Sequence, residues 1–215
     1  MDMLSDYNAL FERAFDVLNK VYFGGTLPQP VITIQSSPKA YGYITEDKVW
    51  TDKQKSYHEI NISAEHLTRP LPQVLATLQH ELCHLYAMVN TIDDTSKGGR
   101  YHNKKFKAIA EARGLQIDYV PYIGYSKTTP TADFVETLKQ YGLLDHTIDY
   151  CRGTLPYPVT DNTGDHSTNG NSLSLPKKKS STRKYVCSSC GISVRATKDV
   201  NIACMDCDNV MSKID

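Results

Sequence analysis

The sequence predicts an α+β fold: helices grouped around a short run of strands, followed by a flexible tether and a small metal-clipped tail. Three observations carry this expectation. Apolar residues recur at helical spacing in four segments, whereas strand-like runs cluster between Pro30 and Ser63. After Arg152 the composition turns to Ser, Thr, Asn, Gly and Pro, nearly without large apolar residues. Two CxxC pairs then close the chain.

The elements follow in order. Leu4, Ala9, Leu10, Phe11, Ala14, Phe15, Val17, Leu18 and Val21 suit an amphipathic helix that Gly24-Gly25 ends. Pro30 to Gln35 reads as a strand. Tyr41 to Trp50 and Tyr57 to Ser63 read as two more, joined by a polar loop. A helix should begin near Thr68, whose hydroxyl can cap it, with Pro70 in the first turn, and run to about Val89. Another is expected from His102 to Arg113, stopped by Gly114, and a last one over Thr131 to Tyr141. The organisation is thus a main domain over 1–150, a flexible basic linker over 151–184 and a zinc ribbon over 185–215. The linker segment cannot bury enough apolar surface to offset the entropy of ordering it.

The 215 residues are 40% hydrophobic and 22% charged, a globular balance with room for a core. Lys+Arg and Asp+Glu are equal at 24 each, so net charge gives no argument for nucleic acid or membrane. No apolar run approaches the roughly 18 residues of a membrane span. The N-terminus, acidic early and without a basic region before an apolar run, does not read as a secretory signal. Four of the six cysteines fall in tight pairs, which without such a signal favours metal over disulfides. A cytoplasmic protein is expected.

The chemistry centres on HELCH, His80 to His84. Leu71, Val74, Leu75, Leu78, Leu82, Leu85, Tyr86 and Val89 form one stripe of the predicted helix. His80 and His84 point roughly opposite it, beside the small residues Ala76, Thr77 and Ala87, as expected of a helix lining a cleft. Histidines one turn apart can reach the same zinc ion, and Glu81 is displaced around the helix, within reach of a zinc-bound water without ligating the metal. That is the arrangement in which a carboxylate takes the proton of a water attacking a polarised peptide carbonyl. A catalytic zinc also needs a third protein ligand. His102, after the turn-forming Gly98 and Gly99, is the best placed; His58, His66, His146, His166, Glu111 and Asp118 are the other candidates. Cys83 reads as a packed thiol. The strand HEINIS could present an edge to an extended peptide.

LFERAFDVLNKVYFGGTLPQPVITIQ, the aromatic-rich segment ending at Trp50, HEINIS, TLQHELCHLYAMV and GGRYHNKKFKAIAEARGL together resemble the SprT-like family of zinc metallopeptidases over most of residues 8 to 125. The HExxH and the YHNKKFK block are the most specific parts. The resemblance implies a zincin-like α+β domain, a three-histidine ligand set that maps to His80, His84 and His102, and Glu81 as base. It also implies a protein substrate, and through the Spartan relatives, which degrade proteins crosslinked to DNA, a DNA-associated one. The chain departs from the eukaryotic relatives in lacking their partner-binding peptides.

In the tail, Cys187, Cys190, Cys204 and Cys207 form two CxxC knuckles separated by thirteen residues, the tetrahedral thiolate set of a closed structural zinc site. About thirty residues hold too little core to fold alone, so metal should supply much of the stability. Many SprT-like proteins end in such a ribbon. Two Zn2+ ions are therefore expected, one catalytic and one structural. Lys177, Lys178, Lys179, Arg183 and Lys184 offer non-specific contact with DNA phosphates. The leading expectation is a zinc metalloendopeptidase. The competing ones are a catalytically idle zinc-binding scaffold that binds nucleic acid or protein, and a zinc hydrolase acting on a non-peptide bond.

Overall fold

A computed structural model describes residues 3–96, 98–153 and 182–214. The chain divides into two compact units, Met1–His166 and Ser167–Asp215. Most of the predicted linker, residues 154–181 with Lys177, Lys178, Lys179 and His166, lies outside the described residues.

The first unit is a mixed α+β domain, as its patterning predicts. Helix α1 (Leu4–Phe23) buries Tyr7, Leu10, Phe11, Ala14, Phe15 and Leu18 against the core. Strands β1 (Val31–Gln35), β2 (Gly42–Ile44) and β5 (Glu59–Ser63) form a sheet in the order β1-β5-β2, with β5 parallel to β1 and antiparallel to β2. All five residues of β5 are buried, so HEINIS is the internal strand. The edges of this sheet belong to β1 and β2.

The predicted strand over Tyr41 to Trp50 is divided. Thr45 ends the β2 ladder by donating its N–H to the Glu59 carbonyl and accepting the Glu59 N–H at its hydroxyl. Beyond it, β3 (Trp50–Thr51) pairs with β4 (Ser56–Tyr57) as a separate two-stranded ribbon. Buried Glu59 ties this ribbon to the sheet, accepting from Trp50 Nε1 at 2.6 Å, Gln35 Nε2 at 3.0 Å and Thr33 Oγ1 at 2.9 Å. A buried carboxylate is tolerated here because donors surround it.

Helix α2 (Leu71–Val89) is the axis of the domain, packing on α1, the sheet and the later elements. Its start corrects the sequence reading. Pro70 takes the capping position in an extended conformation, Pro72 sits in the first turn, and the Thr68 hydroxyl caps nothing. A proline disfavours helical backbone in the residue before it, which keeps Arg69 out of the helix. The single apolar stripe also needs correction, because burial is nearly all-round. Ala76, Thr77, Gln79, Cys83 and Ala87 are buried too, whereas Val89 is exposed.

Strands β6 (Thr95–Ser96) and β7 (Tyr101–His102) precede α3 (Lys104–Glu111). This helix starts two residues later than predicted, because Asn103 caps it, accepting from Lys105 N at 2.7 Å and Phe106 N at 3.3 Å. His102 therefore belongs to a strand. No element is expected from sequence between Gly114 and Thr131, yet β8 (Leu115–Val120) and β9 (Gly124–Pro130) form a hairpin there, completing a sheet in the order β6-β7-β9-β8. Helix α4 (Ala132–Gln140), capped by Thr131, closes the core with Phe134 and Leu138.

The second unit is a small β domain. Strands β10 (Arg183–Val186), β11 (Ser193–Ala196) and β14 (Ser212–Ile214) form one sheet, while β12 (Ala203–Cys204) and β13 (Asn209–Val210) form a hairpin. Arg183 and Lys184, read from sequence as the end of the linker, are strand residues. No helix among the described residues is long and apolar enough to cross a membrane.

Candidate metal centre

Helical periodicity brings His80 and His84 to one side of α2, and β7 delivers His102 to the same point. The three Nε2 atoms stand 3.2 Å (His80–His102), 3.2 Å (His80–His84) and 3.1 Å (His84–His102) apart. Zn–N bonds are about 2.0–2.1 Å, so nitrogens around one tetrahedral ion lie roughly 3.3 Å apart. The triad fits such an ion.

Each ring is held by what surrounds it. Thr128 Oγ1 of β9 lies 2.7 Å from His80 Nδ1, and Asp94 Oδ2 lies 2.6 Å from His84 Nδ1. The fully buried Phe106 ring packs against all three imidazoles, with centroids 4.5 Å from His80, 4.5 Å from His84 and 4.8 Å from His102. His102 Nδ1 is buried and has no hydrogen-bond partner among the described residues. Its position comes from the backbone, whose N–H donates to the Ile123 carbonyl while β7 runs alongside β9 at Gly124. Gly124 has φ +76°, and a Cβ there would lie 2.1 Å from the His102 carbonyl oxygen. Glycine is what lets the strands approach.

Burial holds His80 well below its ordinary pKa, and the positive charges of His84 and His102 would lower it further. Burial, then His84, takes His102 down to about 4. Both imidazoles are therefore neutral near pH 7, leaving lone pairs for a cation.

Glu81, buried beside the triad, is not part of it and forms no ion pair among the described residues. Burial pushes its carboxyl up to about 7; Asp94 adds to this, while His84 and a hydrogen bond from the Ile44 N–H oppose it. Strand β2 can come this close because Gly42 has no side chain: a Cβ there would meet Thr77 Cγ2 at 2.9 Å and Glu81 Oε1 at 3.5 Å.

The triad and Glu81 lie where two arms of a cleft meet. One arm, about 510 Å³, runs past Tyr41, His66, Arg69 and Lys127. The other, about 560 Å³, runs past Tyr43, Glu46, Met88 and Asp93.

The other candidate ligands lie elsewhere. Glu111 pairs with Lys107 and Asp118 with Lys127. His58 Nδ1 is 3.0 Å from the Thr45 carbonyl. His66 lines the first arm, with Nε2 3.3 Å from the Pro38 carbonyl. His146 is outside the triad as well. Cys83 is the packed thiol expected, and burial pushes its pKa up. Sequence reasoning missed Asp94, Thr128 and Phe106. Phe106 carries a signal in the YHNKKFK block, but nothing local distinguishes Asp94 from Asp93 or Thr128 from Thr129.

In the second unit, Cys187, Cys190, Cys204 and Cys207 place their Sγ atoms within 4.8 Å of one another, a second group able to hold a metal. Backbone N–H groups of Cys190 and Ser189 draw the Cys187 thiol down to about 7, favouring the thiolate that binds metal. Apart from Cys187 and Cys204, the buried side chains of this unit among the described residues are Tyr185 and Met211. Of the cations predicted to contact DNA, Arg183 bonds Asp199 at 2.9 Å.

No curated protein and no solved structure matches the chain. A family model does match, over residues 11–123, a span holding the three histidines, Glu81, Asp94 and Phe106. This chain belongs to the SprT-like family.

Proposed function

We propose that the chain is a zinc metalloendopeptidase that cuts protein substrates lying extended in the two-armed cleft, with Glu81 as general base. The observation carrying this reading is the placement of Glu81: a buried carboxylate outside the ligand group, beside three histidines at the junction of an open cleft. A site that only held metal for structure would need no such group.

The Nε2 atoms of His80, His84 and His102 would hold the ion, and the Asp94, Thr128 and Phe106 contacts keep the rings from turning away. Zinc, when bound, supplies a Lewis acid that acidifies water and polarises a carbonyl. Glu81 accepts the proton from the attacking water and returns it to the leaving amine. A single carboxylate beside the metal can serve both transfers, as base in the first and as acid in the second. The Ile44 N–H fixes the carboxylate that does so. The cysteine cluster would hold the second, structural zinc.

Glu81→Gln tests this reading. It keeps the shape of the side chain and is expected to retain metal while losing cleavage of a denatured protein, followed by mass spectrometry. Equal cleavage by variant and parent would remove the mechanism. No cleavage by the parent would leave a zinc-binding scaffold or a different hydrolase as the alternatives.

A further inference from the structure

We propose that Arg69 forms the subsite for a carboxylate of the substrate, so that the peptide is bound through an acidic side chain or its C-terminal carboxylate on the Arg69 side of the metal centre. This inference rests on the peptidase reading above.

The guanidinium is oriented but lacks an anion. Nε donates to the His66 carbonyl at 3.1 Å, Nη2 donates to Thr77 Oγ1 at 2.9 Å, and the guanidinium carbon lies 3.8 Å from the Tyr41 ring centroid. Held on these sides, the group has little rotamer freedom left to lose on binding. Nη1 and the second N–H of Nη2 make no hydrogen bond among the described residues. No carboxylate pairs with Arg69 among them either. Burial lowers the arginine pKa from its ordinary value, the mark of a cation partly withdrawn from water without a counter-charge. A planar fork in that state is matched to one incoming carboxylate.

The location ties the fork to the reaction site. Thr77, which receives Nη2, stands one helical turn before Glu81, and both line the same arm as Arg69. The cleft also has a charge direction. The Arg69 arm is lined by Lys39, Arg69 and Lys127, with Glu81 its one acid among the described residues. The other arm carries Glu46, Asp93 and Asp94 and, among the described residues, no Lys or Arg. An extended peptide with its negative group toward Arg69 meets complementary charge, and the reversed peptide does not.

The test is binding, read by fluorescence anisotropy on the zinc-loaded full chain carrying Glu81→Gln, so that nothing depends on cleavage. The probes are labelled decapeptides of alanine and glycine with one Glu moved through the positions, their Gln counterparts, and each with a free or an amidated C-terminus. A Glu at one position should bind about tenfold or more tightly than Gln, assigning a side-chain carboxylate; the same advantage for the free C-terminus assigns the chain terminus. The added substitution Arg69→Met should abolish the advantage, and Arg69→Lys should keep part of it, with circular dichroism and zinc content confirming that both variants fold. Equal binding of all probes, no binding of any, or an advantage that survives Arg69→Met would overturn the subsite. If the advantage is found but the chain bearing Glu81 cuts nothing, the peptidase reading fails and the subsite stands. Cleavage without any advantage has the opposite meaning.

Discussion

Asp94 Oδ2 lies 2.6 Å from His84 Nδ1, a contact that joins the loop after α2 to the candidate metal centre. Asp94 is itself buried, at 7% exposure, so its carboxylate is directed at the imidazole rather than spread into solvent. A carboxylate accepting from Nδ1 fixes the tautomer that leaves Nε2 free to ligate, and raises its basicity. Asp94→Asn should therefore weaken zinc at the histidine site by about 10- to 100-fold while leaving the cysteine site unchanged. Chelator competition with two resolved metal-binding steps measures both at once.

Gly124 acts on the same centre through backbone alone. An alanine at φ +76° is strained, and its Cβ would collide with the His102 carbonyl. Gly124→Ala is expected to push β9 from β7, displace His102 and reduce bound zinc from two ions per chain to one. Two ions retained would mean that the pairing of β7 and β9 does not position His102.

The metal of the second unit should be worth most of that unit's stability, because Tyr185 and Met211 with two cysteines make so small a core. Cys204→Ser is expected to release the second zinc and remove amide-exchange protection over residues 182–214. The first unit should keep its own zinc and its protection.

Acid should act on Glu65 in a predictable sense. Burial alone would raise its pKa, but hydrogen bonds from the Ser36 hydroxyl, the Ser37 N–H and the Ser63 hydroxyl overcome this and hold the carboxyl at about 2, against an ordinary 4.5. The folded state thus prefers the ionised form. Its contribution is complete above about pH 4.5 and is lost as pH falls toward 2. Glu65→Gln should unfold at lower denaturant than the parent at pH 6, and the difference should shrink on acidification. A difference that grew toward pH 3 would show the sign to be wrong.

Both metal groups were legible in the sequence because their geometry is largely local. One helical turn brings His80 and His84 together, and each CxxC closes a knuckle within four residues. The α+β class was legible for a similar reason, since helical and strand periodicities are properties of single segments. His102 stood between these cases, a good candidate from the turn before it but placed by a strand that was read as a helix.

What only the tertiary structure decided is what depends on register between distant segments. Thr128 reaches His80 across 48 positions because the β8–β9 hairpin lies against α2, and Phe106 underlies three rings because Asn103 begins α3 where it does. The direction of the cleft was decided in the same way. Pro70 keeps Arg69 out of the helix, Thr77 holds its fork from one turn before Glu81, and β2 approaches at Gly42. A motif states which atoms the chemistry requires; where they point, and what they face, follows from packing that no single segment encodes.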